Sequence, residues 1–298
     1  PPPAPRRLAG CLLTMSLESY MVELTRTVRF CINGVGARTD SAGDNTFAAH
    51  PSMVGLGRFY ELEVRCLGRV DPISGYFLNI KVIDQAVRAT AVPMLERACD
   101  DARADPQLLL VSIAHEVNNA LKGCVTVVRW KLTPFYSLEL DMHDPVTVLM
   151  RQQFEFAASH RLHSPTLSDD ENRRIFGKCN HSGGHGHNYR IEPCVAISAG
   201  LPDARPAFTL ADLERVTSRV VIDRFDHKNL NEDATEFQPV AKGGRGLNPS
   251  VENIAIVCYE LLRPAVNDAA HAKAELRSVT VWETDKTSCT YPPTNATN

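Results

Sequence analysis

The stretch Cys179-Asn-His-Ser-Gly-Gly-His185-Gly-His187-Asn-Tyr189 sets two imidazoles two residues apart and a thiol six residues before the first of them. A third imidazole, His160, ends the upstream segment Phe154-Glu-Phe-Ala-Ala-Ser-His160. On a strand, residues i and i+2 point to one face. His185 and His187 then share a face, as do Phe154, Phe156, Ala158 and His160. Two neighbouring antiparallel strands can aim all three rings at one point. Three imidazoles suit zinc, and three protein ligands leave a fourth position for water or substrate, the pattern of a catalytic rather than a closed structural site. A zinc ion there polarises an oxygen and stabilises negative charge developing on it. A divalent cation and an imidazole nearby also favour the thiolate of Cys179. Three roles are open to that thiol: a reactive base, a structural cysteine, or a fourth ligand that closes the metal to substrate.

The elements that must position these groups sit in a chain of 298 residues, enough for one large or two ordinary domains. Hydrophobic residues make up 44% and charged residues 22%, as in ordinary globular proteins. The net charge of −3 gives no general affinity for nucleic acid. No apolar run approaches the roughly 18–20 residues that span a bilayer. Nine cysteines, odd in number and irregularly spaced, fit a reducing compartment, and the expected location is cytoplasmic. The Pro-rich start with Leu8–Leu13 is read as a tail rather than a targeting signal. The end is read as frayed, and its Asn295-Ala-Thr sequon is a pattern common by chance.

An internal similarity suggests the architecture. Gly55-Leu-Gly-Arg-Phe-Tyr60 resembles Gly184-His-Gly-His-Asn-Tyr189. Each begins an expected strand followed by an amphipathic helix. Ile80, Ile83, Val87 and Ala91 mark the apolar stripe of the first helix, and Leu210, Leu213, Val216 and Val220 that of the second. Thr209 and Asp212 offer a capping-box start. Ser250 is a candidate N-cap for a helix burying Ile254, Val257 and Leu261. Strands are expected at Val125–Leu132, Tyr136–Leu140 and Val279–Glu283. The expectation is two α+β modules, 15–145 and 150–292, joined near residues 141–151. At the places of His185, His187 and Cys179 the first module has Leu56, Arg58 and His50, so it is expected to be non-catalytic and the chain to hold one zinc.

Seven segments of the second half, in order, carry a family resemblance: Ala158-Ser-His160-Arg-Leu, Leu167-Ser-Asp-Asp-Glu-Asn-Arg, Phe176-Gly-Lys-Cys179-Asn, Gly184-His-Gly-His187-Asn-Tyr, Phe225-Asp226-His227-Lys-Asn-Leu, Pro249-Ser-Val-Glu252-Asn and Trp282-Glu283-Thr-Asp. This half resembles the 6-pyruvoyl-tetrahydropterin synthase family, which includes the 6-carboxytetrahydropterin synthases of the queuosine pathway. The resemblance implies the tunnelling fold (T-fold), an antiparallel four-stranded sheet with two helices on one face. It also implies a homo-oligomer, with trimer and hexamer both open.

The same resemblance implies residue roles. His160, His185 and His187 would be the zinc ligands. Cys179 would be the proton-abstracting base, and Asp226 would orient His227 in a proton relay. Glu283 would grip the N–H donors of a pterin ring, with Glu252 assisting, although a carboxylate in a first helical turn is equally explained by the helix dipole. Ser250 keeps a hydroxyl where the family commonly has Thr, whereas Val251 loses one. His163 and His181 are read as loop residues, and Arg161, Lys178, Lys228, Lys242 and Arg245 as surface cations, some of them open to a triphosphate. The implied reaction is elimination of triphosphate from 7,8-dihydroneopterin triphosphate to give 6-pyruvoyl-tetrahydropterin. The alternative is 6-carboxytetrahydropterin formation from the same substrate, and a non-catalytic pterin-binding scaffold is a third reading. The five residues between Cys179 and His185 favour the pyruvoyl type.

Overall fold

A computed structural model describes residues 20–34, 36, 49–199, 208–271 and 273–293. The tail at the start, with Leu8–Leu13, and the Asn295 sequon lie outside the described residues.

Two strands, β1 (Met21–Ile32) and β2 (Arg58–Arg69), open the chain. Helices α1 (Ile80–Ala98) and α2 (Pro106–Ala120) follow, then strands β3 (Val125–Lys131) and β4 (Tyr136–Asp141). The second half starts with β5 (Thr147–Gln152) and β6 (Phe154–His160). Helix α3 (Asp169–Phe176) and a 3-10 turn, Gly177–Asn180, lead into β7 (His185–Ser198). Next come α4 (Leu210–Thr217), α5 (Asp223–Phe225), the two-residue β8 (Lys228–Asn229) and α6 (Leu230–Asp233). Helix α7 (Val251–Ala269) and the hairpin β9 (Ala274–Thr284) and β10 (Thr287–Tyr291) complete it.

The sheet is antiparallel along its main path. β1, β2, β3, β4 and β5 pair in sequence order. β7, at 14 residues, is long enough to take β5 against its C-terminal part and β6 against its N-terminal part, with β9 along its other edge. β5 and β6 thus act as one strand, interrupted at Gln153. The expected junction near 141–151 contains no separating linker: β4 turns directly into β5, and the sheet passes through. With β5 and β6 taken as one strand and the short α3, α5, β8 and α6 set aside, strand–strand–helix–helix–strand–strand is the order in both halves.

Period-two alternation decides which face is covered. On β2, Leu62, Val64 and Cys66 are fully buried, while Glu61, Glu63 and Arg65 between them make ion pairs. Helices α1, α2, α4 and α7 bury their stripes in one continuous core with the apolar face of the sheet. Of the expected stripes, Ile83, Val87 and Ala91 are fully buried, but Ile80, the first residue of α1, is exposed. The second-half helix also differs from a plain α-helix. It passes through a π turn, Ser218–Ile222, between α4 and α5, and periodicity alone gives no sign of that extra residue. Its capping box at Thr209 and Asp212 is present, as is the Ser250 cap of α7. No helix among the described residues is long and apolar enough to cross a membrane.

Candidate metal centre and active site

β6 and β7 pair antiparallel with His160 opposite His185 and Ala158 opposite His187. Period two then puts all three rings on the helix-covered side of the sheet, as the spacing predicts. Gly184 makes the close approach possible. Its φ is +67°, and a Cβ there would lie 2.8 Å from the carbonyl oxygen of His160.

The ring nitrogens of His160, His185 and His187 lie within 4.8 Å of one another. His160 Nε2 is 3.1 Å from His185 Nε2. Tetrahedral ligands at ordinary zinc–nitrogen distances stand about 3.3 Å apart. His160, 1% exposed, donates from Nδ1 to the Pro249 carbonyl at 2.6 Å. That bond fixes the tautomer and leaves the Nε2 lone pair facing the other rings, the usual backing of a metal-bound histidine. His187 Nε2 is buried with no hydrogen-bond partner among the described residues, and a buried polar atom left so is costly unless something takes its lone pair. The donor set and its unused nitrogen fit zinc.

Burial pulls the His160 pKa from 6.5 down to about 4, with the Pro249 carbonyl opposing and His185 and His187 assisting. Burial likewise lowers His187, against the nearby Glu283 carboxylate. In the metal-free protein the neutral His160 ring is therefore the native form. Between pH 6.5 and 4 the unfolded chain binds a proton here that the folded chain refuses. Stability that is full above pH 6.5 is lost as the pH falls toward 4, by an amount on the order of 3 kcal/mol from this group. Urea unfolding of chelator-treated protein across that range should show the slope. His160→Asn, which keeps a donor for Pro249 but has no ring to protonate, should flatten it; an unchanged slope would refute the assignment.

Glu283, on β9, stands against the same cluster: its Oε1 is 3.5 Å from His160 Nε2 and 3.6 Å from His187 Nε2. Tyr189 continues the phase of His185 and His187, is fully buried, stacks on Phe156 and brings its hydroxyl to 3.3 Å from His160 Nδ1. Burial, then the charges of Glu283 and Cys179, raise its pKa. Sequence reasoning passed over Tyr189, although its i+2 spacing was the available signal.

Asp226 and His227 arrive by another route. β8 adds in parallel to the outer edge of β6, Ala158 opposite Lys228. Asp226 accepts the Ala157 N–H at 2.8 Å with one oxygen and the His227 Nδ1–H at 2.8 Å with the other. The Ala157 N–H first, and His227 second, hold the Asp226 pKa below its usual value. His227 adopts φ +57°, a left-handed conformation costing about 1–3 kcal/mol in a non-glycine residue. Its own N–H bond to the Ala157 carbonyl, 2.6 Å, secures it. The ring is 83% exposed with Nε2 directed away from Asp226, ready to accept or give a proton. A shallow depression of about 470 Å³ is lined by Ala158, His187, His227 and Lys228.

Cys179 lies on the 3-10 turn Gly177–Asn180 rather than in an irregular loop, half-buried and free. No hydrogen bond among the described residues joins it to His227. His163, read from sequence as a plain loop residue, has its ring against Asn180, next to Cys179. His181 is exposed and caps its own turn, as expected. Ser250 spends its oxygen on the Asn253 N–H. Glu252 is exposed on the first turn of α7 and touches none of the three histidines; its charge is felt by Cys289, whose thiol is raised mainly by burial. Lys242 and Arg245 are paired with Glu232 and Glu260.

In the first half the glycine turn recurs, with Gly55 at φ +60°. Leu56 there is wholly exposed, and Arg58 reaches the Cys99 carbonyl. Ile32 pairs with Arg58 as Ala158 pairs with His187, so Gly34 holds the place of His160. None of these three side chains is a zinc ligand.

Comparison with known proteins falls on the half that carries the histidines. The family model described as 6-pyruvoyl tetrahydropterin synthase matches residues 149–294. The human 6-pyruvoyl tetrahydrobiopterin synthase is 34% identical over 141 residues, 47% of this chain and 88% of that protein. The Drosophila melanogaster protein of the same name is 37% identical over 150 residues, 49% of this chain and 80% of that protein. Among solved structures, the Caenorhabditis elegans 6-pyruvoyl tetrahydropterin synthase is 36% identical, covering 49% of this chain and 94% of that one, with a TM-score of 0.42. With most of each relative's length matched at such identity, this chain belongs to the 6-pyruvoyl tetrahydropterin synthase family.

Proposed function

We propose that the chain is a zinc-dependent lyase that eliminates triphosphate from 7,8-dihydroneopterin triphosphate and gives 6-pyruvoyl-tetrahydropterin. The observation that carries this reading is the convergence of His160, His185 and His187, with an unused buried nitrogen, beside Glu283. Zinc, when bound, supplies Lewis-acid polarisation of a substrate side-chain oxygen. Cys179 takes the carbon-bound proton made acidic by that polarisation. His227, oriented by Asp226, exchanges protons from Nε2, the electron pair left on carbon expels triphosphate, and tautomerisation of side chain and ring, which reduces the ring as it oxidises the side chain, gives the pyruvoyl tetrahydropterin. Glu283 accepts N–H bonds from the pterin and sets it in register. The redox change is internal to the substrate, so no further cofactor is required.

The catalytic unit in this proposal is the module 150–292, and 15–145 is a non-catalytic tandem T-fold module. The repeated element order and the loss of ligands at Gly34, Leu56 and Arg58 support that. A zinc content well above one per chain would contradict it. The outer edges of β1 and β10 have no partner strand among the described residues, and such edges call for cover; a homo-oligomer, trimer or hexamer, would provide it.

The test is incubation of the zinc-loaded chain with dihydroneopterin triphosphate and mass spectrometry of the products. Pyruvoyl product with inorganic triphosphate is expected. Carboxy product with acetaldehyde would move the chain to the queuosine-type reaction, and unconsumed substrate would leave a binding scaffold.

A further inference from the structure

The residues that follow the metal ligand His160 are bonded directly to the turn that carries Cys179. The Leu162 N–H donates to the Cys179 carbonyl at 2.9 Å. Asn180, 8% exposed, returns two bonds from its side-chain amide, one to the Leu162 carbonyl at 2.7 Å and one to His163 Nδ1 at 3.1 Å. Arg161 Nε donates to the Asn180 carbonyl at 3.0 Å. Four hydrogen bonds therefore join residues 161–163 to residues 179–180. Arg161 is also clasped from the other side. Its N–H donates to Asn231 Oδ1 at 2.7 Å, and Asn231 Nδ2 donates to its carbonyl at 3.1 Å. Asn231 lies four residues beyond His227.

This connectivity matters for geometry. Cys179 is separated from His160 by 18 intervening residues and from the His185 ligand by five, and the turn Gly177–Asn180 has no strand partner to hold it. The fully buried Asn172 fixes the intervening loop by bonding the Ser164, Leu167 and Ser168 carbonyls. No hydrogen bond among the described residues joins its side chain to the Cys179 turn. The four-bond staple, with Asn180 as its central donor, ties the Cys179 turn to the segment that follows His160.

We infer that Asn180 is a positioning residue: through Leu162 and His163 it holds the Cys179 thiol in register with the metal centre, and Arg161 transmits that register to the His227 segment through Asn231. This assignment rests on the synthase function proposed above. The amide geometry requires a neutral donor. An aspartate at 180 would turn an acceptor toward the Leu162 carbonyl and so would break that bond without a change in size, while His163 would keep its contact only by changing tautomer so that Nδ1–H donates.

Asn180→Asp in the full, zinc-loaded chain should lower kcat for triphosphate release by at least about tenfold, as expected for a displacement on the order of 1 Å. KM should stay within about twofold and zinc should stay at one per chain. The Leu162 amide should exchange faster with deuterium, and the rate of Cys179 alkylation by iodoacetamide, located by peptide mass spectrometry, should change. His163→Leu, which removes the ring acceptor, should lower kcat in the same way, and His163→Gln, which offers a carbonyl in its place, should restore much of it. Should Asn180→Asp fail to fold, the His163 pair decides the matter. An unchanged kcat, a loss confined to KM, or equal kcat in the two His163 variants would overturn the assignment. If the wild-type chain releases no triphosphate, the proposed function fails while the exchange and alkylation measurements still decide whether the staple holds the turn.

Discussion

Replacing Cys179 with Ala should leave a folded protein with one zinc per chain and lower triphosphate elimination by about 10³-fold or more. Fold and metal are expected to survive because the structure asks nothing of the sulfur. The turn is held through the Cys179 carbonyl and through Asn180, and Sγ makes no hydrogen bond with any described residue. The thiol is half-buried, so the cavity cost is small compared with that of a core deletion. Turnover is expected to collapse because no neighbouring group can replace the thiolate at carbon. His227 is committed through Nδ1 to Asp226, and Glu283 faces the metal ligands. Cys179→Ser sharpens the test. It keeps the size and a hydroxyl, but an alcohol is far less readily ionised than a thiol, so it should be nearly as inactive as Ala. Metal analysis, circular dichroism and product assay on the three proteins would settle it, and turnover in Cys179→Ala near that of wild type would remove the thiol from the mechanism.

What could be read from sequence was what strand periodicity and local capping encode. Three histidines in period-two phase, and a glycine turn before the pair, were sufficient to foresee the cluster, because a strand offers two faces and only one can be lined by Phe156, Ala158 and His160. Thr209 and Ser250 announced their helices for equally local reasons. Less legible was anything that depends on the backbone meeting a distant side chain. The Pro249 carbonyl that backs His160 has no residue signature at all. His163 looked like a loop histidine because its partner, Asn180, lies 17 residues further on, and the excursion that brings it back follows no spacing rule. Glu283 was expected at the pterin ring. Its position 3.5–3.6 Å from two metal-ligand nitrogens follows from the β7–β9 register, which is set by the bulge at Cys194/Val195. The same holds for the fusion of the halves. The pattern of β4 marks a strand, but the stretch that forms β5 was taken for the joint between the modules, and its direct pairing with β4 depends on the short turn between Asp141 and Thr147.

Removing single imidazoles should separate metal binding from folding. His187→Ala is expected to lose zinc on dialysis against a chelator that leaves wild type at one per chain, and to lose turnover with it. Two imidazoles remain, and the entropic advantage of a preformed three-point site is gone. Its fold should persist, because the His187 side chain is 18% exposed near the start of β7 and its Nε2 bonds to no described residue. His160→Ala should lose the metal equally but also unfold more readily. That change strands the buried Pro249 carbonyl, which costs about 1–3 kcal/mol, and opens a void beneath Tyr189. Zinc stoichiometry and thermal midpoint of the apo-proteins therefore move independently: both variants fall to near zero metal, and the midpoint drops clearly in the His160 variant alone. Equal midpoints would mean that the Pro249 bond contributes nothing to stability. Full zinc retention in His187→Ala would mean that the cation is gripped elsewhere, and the reading of Glu283 and Cys179 as its neighbours would go with it.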